Sequence, residues 1–516
     1  MANIALNPRQ QPSRIFLSYK RNAEPDESVV RTILNGLLEA SHSVFVDRMI
    51  KASEMWAERI EREVRQADWL IVFLTESSSH SEMVKGEIEI ARNQASTSGG
   101  RPRIVPVRLS FEGRLPYPLN AYLDSIQYAM WGGPNDTERL LDELKSVIGG
   151  SAIPTSSPLP NASDGECSSI PAYAADLVPP GGVLDVEDPI YIVRKSERKA
   201  ISLLDHPGQT IVIKGPRQTG KSSLLNRLAL AAMRRGRKLA LLDLQLFDEG
   251  TRKNPQEFFS HALRLICDSL GIQHGLSESF LHERGYTYQC TTLMQDLVLS
   301  QLRTPVLLAI DEADRLLATN FRQDFFGMLR HWHELRAKLA SREIWRNLDL
   351  ALVTATEPYL LIDDKDRSPF NVGYVMRLED FSAAEISELN RLHRSPLTDG
   401  GLTRVMELFG GHPYLTRRAF YELASGGPRT SPDELLEQSL EDEGPFRDHL
   451  RRHCLNLVRH PQLTSTFLSV LQGVSVVDEV NFDRIEGAGL VKRENGRVVP
   501  RCHLYAEYFK RHLQLS

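Results

Sequence analysis

The chain has little cysteine, and what it has is scattered: Cys167, Cys267, Cys290, Cys454 and Cys502 are five in number and far apart. An odd, dispersed set excludes a disulfide framework and suits a reducing compartment. No window approaches the roughly 18 apolar residues of a membrane span, and the opening MANIALNPRQQPSR lacks the apolar core of a secretory leader. The expectation is a cytoplasmic chain that does not anchor to lipid. Charge of one sign is lacking too. A net charge of −5 provides no global field for drawing in nucleic acid or anionic membrane. Neither a GxSxG elbow nor an HExxH helix occurs, which leaves a serine hydrolase or zincin unsupported. Sequence periods of 20 to 50 residues, the mark of solenoids and propellers, are absent. No Lys or Arg occurs between Lys145 and Arg194, where the chain turns to Ser, Pro, Gly and Ala; residues 149–182 are read as a flexible linker.

What is present on either side of that linker alternates between two periods. From residue 12 to 148, the strand-like runs Ile15 to Leu17, Val44 to Val46, Trp69 to Leu74 and Arg103 to Val107 are separated by helical patterns. Strands and helices at this spacing predict right-handed crossovers and a parallel sheet covered on both faces. Beyond the linker, Thr210 to Ile213, Leu239 to Leu244, Pro305 to Ile310 and Leu350 to Thr354 predict a second α/β unit, with a helix from Lys221 to about Arg235. After Phe381 the pattern is helical, and from about 440 short helices precede two apolar runs around the turn Glu494-Asn495-Gly496. Length alone predicts roughly three to four domains. They are drawn as 12–148, the linker, an ATPase core over 183–375, a helical lid over 376–435 and a winged helix over 436–516.

Gly215-Pro216-Arg217-Gln218-Thr219-Gly220-Lys221-Ser222 lies between a strand run and a helix pattern, the context in which GxxxxGK[ST] binds a nucleoside triphosphate. Backbone N–H groups of that loop and of Ser223 face the phosphates, Lys221 reaches the outer ones and Ser222 ligates Mg²⁺. Val306 to Asp311 is an apolar strand ending in Asp311-Glu312. Asp311 is assigned to Mg²⁺, and Glu312 to polarising the attacking water. The expected cofactors are therefore ATP or ADP with Mg²⁺.

Residues from about Pro179 onward resemble the AAA-like ATPases of the STAND and AAA+ branch at YIVR (Tyr191 to Arg194), GPRQTGKS, LLAIDEAD, LVTATEP and GGHPYL. The resemblance implies that Tyr191 and Val193 line an adenine pocket, that Thr354 or Thr356 senses the γ-phosphate, and that His412 and Pro413 touch the nucleotide from the lid. Arg217, Arg315, Arg394 and Arg418 all stay open as the arginine finger.

The segments RIFLSYKR, VFVDRMIKASEMW, ADWLIVFLTESSSHS and EMVKGEIEIA make residues 12–148 similar to TIR domains, which have a flavodoxin-like parallel sheet. Some TIR domains only self-associate; others cleave the nicotinamide–ribose bond of NAD⁺ with a glutamate, here Glu87. That resemblance makes NAD⁺ a substrate, with Ser18, Tyr19, Arg21, Asp47 and Met83 around it and Trp56 in the loop region of Asp47. Met83 stands where the family usually places Trp. Val84, Ile88 and Ala91 read as the buried stripe of the helix, with Met83 and Glu87 on its flank.

Three functions follow as expectations. The first is an ATP-gated TIR enzyme of bacterial antiphage or immune-type defence. It assembles as a homo-oligomer through both its ATPase and TIR domains, is set off by a trigger protein or ligand the sequence does not identify, and yields linear or cyclic ADP-ribose. The second is a TIR scaffold on a signalling ATPase. The third is a nucleic-acid-dependent ATPase using the winged helix, which the acidic balance disfavours. The basic run Arg234, Arg235, Arg237 and Lys238 is read as the C-terminal complement of the phosphate-loop helix. A zinc site at His453-Cys454 and Cys502-His503 is disfavoured because adjacent residues point apart.

Overall fold

A computed structural model describes residues 12–21, 23–47, 56–149, 180–273, 285–355, 372–425, 432–441, 444–473 and 477–513. The chain divides into two compact units, residues 1–182 with 451–458 and residues 183–450 with 459–516.

The first unit holds a five-stranded sheet of β1 (Arg14–Ser18), β2 (Ser43–Phe45), β3 (Trp69–Leu74), β4 (Arg103–Leu109) and β5 (Ala129–Trp131). Every pairing is parallel and the spatial order is β2-β1-β3-β4-β5. This is the flavodoxin-like order, whose direction reverses between β1 and β3. Alternation along β1 sends Ile15, Leu17 and Tyr19 into an apolar cluster with Val29, Ile33 and Leu37 of the helix Asp26–Glu39 and Leu140 and Leu144 of the helix Thr137–Ile148. The opposite face is covered by the helix Glu82–Thr97, capped where the Ser81 side chain accepts from Val84 N–H. Val84, Ile88 and Ala91 on that helix are fully buried, each large apolar side chain contributing about 1.5–3 kcal/mol through water exclusion.

The second unit holds β6 (Thr210–Lys214), β7 (Lys238–Asp243), β8 (Val306–Asp311), β9 (Leu348–Thr354) and β10 (Tyr374–Arg377). They too are parallel throughout, in the order β10-β6-β9-β8-β7. The central strands β8 and β9 are buried on both faces, which is why they read as unbroken apolar runs. One face packs against the helix Lys221–Arg234 through Leu224, Leu225 and Leu228. The other carries a larger cluster built from Phe258, Phe259, Phe325, Phe326, Trp332 and Trp345. Helices Ala383–Leu392, Asp399–Phe409 and Pro413–Ser425 follow. The end of the chain brings helices Pro461–Leu471 and Glu479–Gly487, an antiparallel ribbon of β11 (Val491–Glu494) and β12 (Arg497–Pro500), and the helix His503–Leu513.

β5 and β10 were not expected from the sequence. Both are short edge strands, and β10 alternates exposed and buried residues where the inner strands do not. Residues 150–179, most of the expected linker, lie outside the described residues, as do 48–55, Thr356 and the side chain of Trp56.

Candidate functional site

Parallel sheets collect ligands beyond the carboxyl ends of their strands, where backbone dipoles and loop residues converge. In each unit, strand-end residues named from the sequence lie there: Ser18 at the end of β1, and Asp311 and Thr354 at the ends of β8 and β9.

In the second unit the phosphate loop leaves β6 at Gly215. A Cβ on Gly215 would lie 2.5 Å from the Leu378 carbonyl oxygen, so only glycine lets the two backbones approach. Gly220 is left-handed at φ 92° and starts the helix Lys221–Arg234, whose N-terminal amides face the loop. Within the loop, the Thr219 hydroxyl and the Lys221 ammonium each donate to the Pro216 carbonyl at 2.8 Å. Burial holds the Lys221 ammonium below the usual lysine range, opposed by the charges of Glu312, Asp314 and Asp311. Ser223 is buried, and its hydroxyl accepts from Leu184 N–H at 3.0 Å. Arg194, the last residue of the YIVR segment, donates to the Thr219 carbonyl at 3.0 Å and lies over the Phe381 ring.

Opposite the loop stand the acids. Strand register pairs Asp243 with Asp311, so the two carboxylates end neighbouring strands side by side. Burial pushes the Asp311 carboxyl up, with Glu312 adding to it and a hydrogen bond from Ser222 working against it. Asp243 is pushed up to about 7 by burial and then by Asp311. Glu312 sits left-handed at φ 55°, a strained conformation for a non-glycine residue, with Arg315 3.6 Å away. A hydroxyl and a buried carboxylate beside a lysine are a donor set that fits Mg²⁺ bound together with phosphate oxygens, and a divalent cation would relieve the crowding of Asp243 and Asp311. Thr354, the expected sensor, is buried as the last residue of β9.

Other residues named from the sequence are placed as follows. Val193 is 46% exposed while its neighbour Ile192 is buried. Tyr191 donates its hydroxyl to Glu197 at 3.0 Å beneath the Arg227 guanidinium, 4.3 Å from the ring centroid. His412 is wholly buried with its Nε2 3.2 Å from the Tyr505 hydroxyl, which also meets His449 at 2.6 Å. Its ring is buried where the lid meets the C-terminal helices, and the neighbouring Pro413 is buried too. Of the arginine-finger candidates, Arg315 is engaged with Glu312 and Arg418 with Glu422.

Asp243, Asp380 and Arg501 were missed by sequence reasoning. Arg501 is 1% exposed, pairs with Asp380 through Nε and Nη2, and donates from Nη1 to the Arg217 carbonyl at 3.0 Å. Arg217 N–H in turn donates to the Gly487 carbonyl at 3.3 Å. Asp243 had a readable signal, an acid closing an apolar run like Asp311; the contact of Arg501 with a loop 284 residues away had none.

In the first unit, Glu87 is 5% exposed, buried along with the stripe it was expected to flank. Its Oε2 accepts from the Ser18 hydroxyl at 2.6 Å. Met83, one turn earlier, is also buried. Arg21 lies 3.7 Å from Asp47, so these two pair with each other. Tyr19 is corrected: its ring is part of the core on the other face of the sheet from the Glu82–Thr97 helix. Nearby, Asp26 is buried at the start of its helix and accepts from Thr75 Oγ1 at 2.9 Å; burial pushes it up to about 6.

A TIR domain matches residues 15–145 and an AAA-like domain matches residues 179–511. An uncharacterised WD repeat-containing protein of Synechocystis sp. is 23% identical over 359 residues, covering 64% of this chain and 30% of its own length. The chain therefore spans less than a third of that relative. The Walker-type ATPase of Pyrococcus abyssi shares 17% identity at a TM-score of 0.42, covering 66% of this chain and 99% of that one. A signal transduction ATPase with numerous domains and a tetratricopeptide repeat sensor, from Pyrococcus horikoshii, shares 14% identity at a TM-score of 0.29, covering 62% of this chain and 42% of that one. No described helix is long and apolar enough to cross a membrane. With a phosphate loop, paired strand-end acids and a match over most of its length, the chain belongs to the AAA-like domain family, and a TIR domain is fused ahead of that ATPase region.

Proposed function

We propose that this signalling ATPase is an NAD⁺ glycohydrolase controlled by its nucleotide state, acting in bacterial immune-type defence. One observation carries the reading: Glu87 is a buried carboxylate held by a hydroxyl, beside the point where the strand order reverses between β1 and β3.

In this reaction the bond between ribose C1′ and the nicotinamide nitrogen breaks. Nicotinamide leaves with the bonding pair, and the ribose takes on oxocarbenium character. The Glu87 carboxylate stabilises that positive charge, water adds to C1′, and one proton is released with ADP-ribose. Attack by an adenine nitrogen in place of water gives the cyclic product.

The ATPase supplies control. Lys221 and the loop amides hold the phosphates, Ser222 and Asp311 would hold Mg²⁺, and Glu312 orients water toward the γ-phosphate. Mg²⁺ held there would supply positive charge against the phosphate oxygens. Isolated TIR domains offer small contact surfaces, so homo-oligomers formed by the ATPase raise their effective concentration.

Met83, in place of the family's usual Trp, favours a second reading in which the TIR domain is only a scaffold. The test is nicotinamide release by the full chain with ATP, Mg²⁺ and NAD⁺. The proposal expects release from wild type, and none from Glu87→Gln while ATP binding is kept. An assembled wild type that leaves NAD⁺ intact would establish the scaffold instead.

A further inference from the structure

The geometry points to Ser18 as the positioning residue of Glu87, acting through the carboxylate and not as a contact to the dinucleotide. This rests on the reading of Glu87 as the group that acts on NAD⁺.

Ser18 is the last residue of β1, in register with Val72 of β3, at the reversal of strand order. Alternation sends its side chain to the sheet face covered by the Glu82–Thr97 helix, away from the cluster that takes Leu17 and Tyr19. There its hydroxyl meets Glu87 Oε2 at 2.6 Å, within the range of a charge-assisted O–H···O⁻ bond. Ser18 is 1% exposed.

Two consequences follow from elementary chemistry. A serine hydroxyl has one proton, so while it donates to Glu87 it cannot also donate to a ribose or phosphate oxygen. A glutamate also has three side-chain torsions, and stabilising charge at one ribose carbon needs the carboxylate held before substrate arrives. Ser18 is anchored by the parallel ladder to β3, where it pairs with Val72, on a strand that β2 also holds as far as Phe16, and it supplies that fixed point. Hydrogen bonds donated to the dinucleotide's oxygens then come from other groups at the rim of the sheet, so Ser18 governs the rate of bond breaking and not the affinity.

The experiment is steady-state NAD⁺ cleavage by the full chain with ATP and Mg²⁺, comparing Ser18→Ala, Ser18→Cys and Ser18→Thr with wild type. Losing a hydrogen bond to a charged group predicts a kcat about tenfold to a hundredfold lower in Ser18→Ala, with KM within about twofold of wild type. Ser18→Thr keeps the hydroxyl on a residue suited to strands and recovers most of the rate, and Ser18→Cys, a weak donor, falls between. If Ser18→Ala does not fold, the order Thr above Cys carries the test. A raised KM at unchanged kcat, or equal rates for Thr, Cys and wild type, would overturn the assignment. Wild type with no NAD⁺ cleavage would instead refute the glycohydrolase reading itself.

Discussion

Replacing Asp380 by Asn should harm the ATPase region more than replacing its partner Arg501 by Met. The asymmetry comes from burial: the Arg501 side chain is 1% exposed and that of Asp380 21%. Asp380→Asn leaves a guanidinium sealed from water without its counter-charge, a loss that costs about 3–5 kcal/mol in buried pairs. About 3 kcal/mol is expected here, because the Asn carbonyl can still accept one of the three contacts that Asp380 receives. Arg501→Met leaves a carboxylate that water can reach, so its cost is about 1–2 kcal/mol, mainly the hydrogen bonds lost to Asp380 and to the Arg217 carbonyl. The double variant should lie near Arg501→Met, since the stranded charge is gone, giving a coupling of about 3 kcal/mol. For a region the size of residues 179–511, 3 kcal/mol lowers the midpoint by roughly 4–5 °C. Calorimetry of the full chain, following the transition that ADP raises, reads all three variants. If Arg501→Met is the worse single change, or if the two effects add, the burial argument is wrong.

Gly215→Ala brings a Cβ to 2.5 Å from the Leu378 carbonyl, a clash of backbone with backbone. It should cost about 1–3 kcal/mol and weaken ATP binding at least tenfold; nucleotide titration at wild-type affinity would contradict it. Asp26, raised from 3.8 to about 6, binds its proton more tightly folded than unfolded. Its contribution is therefore fully present below about pH 4 and is lost as pH rises through 6, by at most about 2–3 kcal/mol. Melting of the TIR domain should show Asp26→Asn gaining on wild type between pH 4 and 6 and holding that gain above; parallel curves would rule this out.

Elements whose physics is local were legible in the sequence. The inner strands of both sheets announced themselves as apolar runs because both of their faces are covered, and the phosphate loop because its glycines are fixed by spacing. Edge strands β5 and β10 carry no such run and depend on a neighbour already in place. The same limit governs the sites. Asp311 and Glu312 were readable from the strand they end, whereas Asp243 joins them only through strand register. Tyr19 was misplaced by one step of alternation, which a motif match does not resolve. The meeting of Ser18 with Glu87 spans 69 residues and depends on parallel pairing and helix placement together.

Arg217 spends both of its main-chain polar groups on the last quarter of the polypeptide, its amide on Gly487 and its carbonyl on Arg501. The peptide planes that must wrap a triphosphate are thus braced by residues laid down some 270 positions later, which makes nucleotide grip a property of the finished chain. Truncations that stop ahead of Gly487 would keep every residue of the GxxxxGKS stretch and still lose the struts that hold it in shape.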